Sequence, residues 1–105
     1  MSPKKIVAAF GLSLVSVCAA WAQGDAKDMY LDKCSVCHGA DGAAQTAKGR
    51  KLKMSDVHQT VSKQSEADMI AIVTNGKGSD MDGFGKDLKP DQIKAIVQYY
   101  RGLAK

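Results

Sequence analysis

The run Lys33-Cys34-Ser35-Val36-Cys37-His38-Gly39 places two thiols two residues apart and an imidazole directly after the second. Three chemistries use such a cluster. Thiolates and imidazole bind a structural metal, a close dithiol exchanges with disulfides, and C-x-x-C-H attaches a haem covalently. In the last case each thiol adds across one vinyl group of the porphyrin, and the histidine that follows ligates the iron. A structural zinc needs four protein ligands. Cys34, Cys37, His38 and His58 make four only if the neighbours Cys37 and His38 both turn to one metal, and no second paired motif is present. A thioredoxin-like dithiol sits in a strand–helix setting, whereas the residues ahead of Cys34 read as a helix. Covalent haem attachment uses all three residues.

The rest of the chain must position that cluster, and its 105 residues are one domain at most. Lys4 and Lys5, the apolar or small run Ile6 to Ala20, and Ala20-Trp21-Ala22 have the layout of a secretory signal cut after Ala22. The organisation expected is a signal peptide over 1–22 and one mature domain over 23–105. The apolar run is shorter than the roughly 20 residues a spanning helix needs. Val17 is bulkier than the residue that precedes a lipid-modified cysteine, which disfavours an anchor at Cys18. The protein is therefore expected to be exported and soluble, with no membrane span after cleavage. Removing the first 22 residues leaves 83, and losing Lys4 and Lys5 lowers the formal charge from +4 to +2. That balance is too weak to argue for nucleic acid. Cys18 leaves as well. A disulfide between Cys34 and Cys37 would close a tiny loop and stabilise little. The mature chain keeps one Phe and three Tyr, a thin core for its length, and a cofactor is expected to fill its middle.

Three helical patches are legible, and no strand pattern is. The first runs from Asp25, a plausible N-cap, to Val36, with Met29, Tyr30 and Cys34 on one side and Gly39 as terminator. Ala40 to Lys63 reads as a long loop that carries the basic run Lys48, Arg50, Lys51 and Lys53. The second helix spans Ser65 to Asn75, with Ser65 and Asp68 as a capping box and Met69, Ile70, Ile72 and Val73 as its apolar face, and Asn75-Gly76 stops it. A glycine-bearing loop leads from Gly76 to Lys89. Pro90 opens the last helix, whose stripe is Ile93, Ile96, Val97 and Tyr100, widened by Tyr99 and Leu103.

The segments MYLDKCSVCHGADG, SEADMIAIVTNGKG and MDGFGKDLKPDQIKAIVQYYRGL resemble the small class I monohaem cytochromes c, over nearly all of the chain from Asp25. The resemblance implies an all-α cytochrome c fold, three to four short helices wrapped around one covalently bound haem c. It implies a first helix packed across the last, with Met29 or Tyr30 touching Tyr99. Cys34 and Cys37 would form the thioethers, and His38 and Met81 would be the axial ligands of the iron. The function implied is that of a periplasmic one-electron carrier rather than an enzyme. Such a carrier docks briefly with redox partner proteins and is expected to be a monomer; the basic run Lys48, Arg50, Lys51 and Lys53 reads either as its docking patch or as a solvated loop. Met54, Met69, Met29 and His58 are the other candidates for the second axial position. Met69 reads as packing, Met29 shares a helix with the cysteine motif, Met54 stands in a loop, and His58 reads as a solvated loop residue. Asp82 stands where the family usually has proline after the ligand methionine. Thr46 to Gly49 lacks the proline whose carbonyl often orients the ligand histidine. Without a Met81 bond the iron would be five-coordinate, and the alternative is then a gas sensor or a peroxidase-like protein.

Overall fold

The computed structural model describes residues 25–105; the expected signal segment lies outside the described residues. Six helical segments, and no strand, form the described part of the chain. They are α1 (25–33), α2 (Ser35–His38), α3 (Ala47–Lys51), α4 (Val57–Lys63), α5 (Glu66–Asn75) and α6 (Pro90–Gly102). This is the expected all-α architecture with more pieces than the three to four helices expected. None of the described helices is long and apolar enough to cross a membrane.

Asp25 is already helical, so it does not cap α1 from outside. The helix also runs past Val36. After a single break at Cys34 it continues as α2 to His38, where Gly39 stops it at φ 81°, ψ 152°. That backbone region is essentially reserved for glycine. Tyr30, 1% exposed, donates its hydroxyl hydrogen to the Gly39 carbonyl at 2.6 Å, tying α1 to the end of α2.

The stretch from Ala40 to Lys63 is not the irregular loop expected. It contains α3, whose N-cap Thr46 accepts from the Gly49 amide, and α4, whose N-cap Asp56 accepts from the His58 amide. Both helices are short and mostly polar, so capping and tertiary contact make them, not an amphipathic stripe. Val57, fully buried, roots α4 in the core. A Cβ on Gly49 would lie 2.5 Å from the Cys37 carbonyl oxygen, so only glycine lets α3 approach the cysteine motif this closely.

The core is an α6 face. Ile93, Ile96, Val97 and Tyr100 are all buried, and Tyr30, Val57, Met69 and Leu88 close over them. α5 and α4 pack on α6. α1 meets it through aromatic rings: Tyr30 lies 5.4 Å from Tyr99 and 6.1 Å from Tyr100, centroid to centroid. Such tilted pairs add about 1 kcal/mol each beyond burial. Of the two contacts expected with Tyr99, Tyr30 makes the ring contact, while Met29 is half-buried against the same cluster.

Candidate functional site

Cys34 and Cys37 stand one helical turn apart at the α1–α2 junction, with His38 as the last residue of α2. Thr46 fixes this turn from outside: its hydroxyl donates to the Cys37 carbonyl at 2.9 Å while accepting from the Gly49 amide at 2.8 Å. Both cysteines are unpaired thiols. Burial pushes the Cys34 thiol up to about 11; the nearby Lys33 opposes this weakly and Cys37 adds to it. A thiol of that acidity is protonated at neutral pH, so Cys34 is not itself the thiolate that attacks in dithiol exchange. The His38 ring meets Tyr100 edge-on at 5.2 Å and 63°. Burial lowers the His38 pKa and keeps the ring neutral, the form that ligates a metal. Its Nδ1 is buried and has no hydrogen-bond partner among the described residues.

Met81 reaches the same space from the loop between α5 and α6. Two devices hold that loop. Lys77 and Met81 form an isolated antiparallel bridge, with the Lys77 amide donating to the Met81 carbonyl at 2.9 Å. Beyond it, the amides of Phe84 and Gly85 donate to the carbonyls of Val73 and Thr74 at 2.8 and 3.0 Å, satisfying the C-terminal end of α5. Glycine is required where the loop leaves the helix. Gly76 adopts φ 84°, ψ 177°, and a Cβ there would stand 2.7 Å from the Met81 carbonyl oxygen.

His38 and Met81 share three adjoining clefts. One, of about 480 Å³ with its mouth included, is walled by Tyr30, Met69, Ile72, Val73, Ile96 and Val97 and also reaches Cys34. A second contains both cysteines with Val36, Met54 and Phe84. A third runs from His38 and Met81 along Leu52–Ser55 to Thr60, Gln64 and Lys77. The four residues singled out in the sequence thus converge on one space. The rival ligands divide. His58 lies on α4, mostly exposed, with its Nδ1 2.7 Å from Asp56 Oδ1. Met69 is buried in the apolar wall. Met54 lines two of the clefts, a placement the sequence did not favour. Thr60 and Gln64 went unnoticed because α4 read as loop; their i, i+4 spacing is the signal that a helix assignment would have exposed.

A family model described as "Cytochrome C oxidase, cbb3-type, subunit III" matches residues 21–99. Cytochrome c6 of Gloeothece citriformis is 38% identical over 94 residues, covering 86% of this chain and 79% of that protein. The chain belongs to the class I c-type cytochromes. This cytochrome carries one covalently bound haem c, and its relatives of this size are electron carriers rather than enzymes. The solved structure of the KustC0563 c-type cytochrome superposes with a TM-score of 0.71 at 31% identity, covering 77% of this chain and 99% of its own. The subunit FixP of a cbb3-type cytochrome c oxidase from Azorhizobium caulinodans is 28% identical over 76 residues, but the cytochrome spans only a quarter of FixP's length.

The residues present fit that haem. The space between His38 and Met81 is flanked by aliphatic and aromatic side chains suited to a porphyrin plane, and both thiols open on one end of it. A neutral imidazole and a thioether are the donor pair of low-spin cytochrome iron.

Proposed function

We propose that the cytochrome is a periplasmic one-electron shuttle in which Cys34 and Cys37 hold the haem as thioethers and His38 and Met81 fill both axial positions. The observation that carries this reading is the convergence of His38 and Met81 on all three clefts, with the cysteines at one end. The haem supplies the one-electron change at iron, and Met/His ligation raises its potential. The chain supplies the rest. The walls formed by α5 and α6 would exclude water from the porphyrin faces, and the hydrogen-bonded 76–85 loop would present the Met81 thioether to the iron. A filled coordination sphere leaves no position for oxygen or a substrate.

The signal-like segment 1–22 supports export, and haem attachment suits an exported protein because a covalent cofactor cannot diffuse away. Lys48, Arg50, Lys51 and Lys53 are all exposed, and Lys48 and Lys53 border the clefts. A redox partner protein with an acidic face would be steered to this edge, and the contact would be brief and salt-sensitive. Absorption spectroscopy of the matured protein tests the reading. A low-spin spectrum with the weak far-red sulfur-to-iron band of the ferric state is expected, with the colour remaining in the protein after acid-acetone extraction. A high-spin spectrum that shifts under carbon monoxide would mean a five-coordinate iron and a gas-binding or peroxidase-like protein instead.

A further inference from the structure

The three clefts differ in chemistry. The first two hold the cysteines, and the first is almost wholly apolar. The third contains neither cysteine, and its lining includes Lys53, Ser55, Thr60, Gln64, Lys77 and Asp80. Haem carries its vinyl groups on two neighbouring pyrroles and its two carboxylate side chains on the other two. A haem fixed by sulfur at Cys34 and Cys37 therefore sends its carboxylates away from the cysteines, toward the third cleft. An anion there needs charge partners or donors to offset its partial desolvation.

Lys53 is set up for such a role in an unusual way. It is one of two described non-glycine residues with positive φ, at 56°. A side chain in that left-handed conformation carries a local cost that neighbouring contacts must hold in place. The Lys53 amide donates to the Arg50 carbonyl and the Met54 amide to the Gly49 carbonyl, so α3 fixes the turn. Lys77 lines the same cleft, its backbone held by the bridge to Met81.

We infer that Lys53 and Lys77 are the cations that pair with the two haem carboxylates, with Ser55 and Gln64 as neutral donors beside them. The inference rests on the thioether assignment of Cys34 and Cys37. Both lysines are exposed, so the pairs are partly screened by water and weakened by salt. Asp80 is the one carboxylate of that lining and leaves one cation in excess. Positive charge at this edge favours ferrous over ferric iron.

The test compares the holoproteins of wild type, Lys53→Gln, Lys77→Gln, Lys53→Arg and Lys94→Gln. Lys94 is exposed on α6 and lies outside the three clefts. At one fixed solution potential and low salt, the ferric-to-ferrous ratio should rise about two- to fivefold in Lys53→Gln and in Lys77→Gln, and less in high salt. Lys53→Arg should behave as wild type and Lys94→Gln should change nothing. The proton resonances of the haem carboxylate methylenes should move in Lys53→Gln and Lys77→Gln alone. An equal shift in Lys94→Gln, or carboxylate resonances unmoved in both Lys53→Gln and Lys77→Gln, would overturn the pairing. Haem lost from the wild type to acid-acetone would overturn the thioether assignment and this inference with it. Haem retained with low-spin spectra throughout assigns any failure to the pairing alone.

Discussion

The two sides of the haem space are built by different means. The His38 side hangs on α1 and α2, which are locked to α6 by Tyr30, Tyr99 and Tyr100 and by a core that includes Ile93, Ile96 and Val97. The Met81 side is a loop with little buried side chain. It is held by backbone hydrogen bonds to the end of α5 and by glycines that allow close approach. Burial makes the first side part of global stability. The second contributes little to that stability and is open to local displacement. On the proposed ligation a carrier gains from this division: His38 is built into the core, and Met81 can be tuned or lost without unfolding the protein.

Breaking the core side should have the largest effect. Ile96→Ala removes a buried branched side chain from the centre of α6 and should cost about 2–5 kcal/mol. Denaturant unfolding of the holoprotein would measure it, and the sulfur-to-iron band should survive in whatever remains folded. Breaking the loop side should reverse that pattern. Gly76→Ala forces a side chain into a backbone region that costs about 1–3 kcal/mol and drives its Cβ against the Met81 carbonyl. The band should fade while the unfolding midpoint falls less than in Ile96→Ala. If both observables move together in each variant, the two sides are not separable.

Smaller changes sharpen the contrast. Ser65→Ala removes the side-chain oxygen that accepts from the Asp68 amide at 3.1 Å, half of a complete capping box. Loss of an N-cap costs about 1 kcal/mol. Because α5 packs on the core through Met69 but also anchors the Met81 loop at its other end, this loss should appear in thermal unfolding and leave the spectrum unchanged. Asp82→Asn should have the smallest effect. Asp82 is exposed beside Met81 and lines the cysteine-containing cleft. Its negative charge favours ferric iron, so neutralising it should raise the potential slightly in redox titration. An unchanged or lower value counts against that role.

Much of the core side was legible in the sequence. The α6 stripe, Pro90 at its start, the Ser65/Asp68 capping box and the glycine stops after α2 and α5 all proved to be structural, because each depends on neighbours within a few residues. The helices α3 and α4 were not legible. AKGRK and VHQTVSK lack an apolar stripe, and their caps, Thr46 and Asp56, stand in stretches that also read as turn. What makes them helical is non-local: Gly49 against the Cys37 carbonyl, and Val57 buried beneath α6. Reading them as loop also hid the polar wall that α4 and Lys53 give to the haem space.

The sequence by itself determined the kind of chemistry. Two thiols and an imidazole at fixed spacing are a local pattern, and local spacing survives whatever the rest of the chain does. Tertiary structure alone decided which methionines border His38, which basic residues line the cysteine-free cleft, and that His38 Nδ1 has no partner among the described residues. Those facts depend on residues tens of positions apart being brought within a few ångströms, and no pattern along the chain encodes such distances.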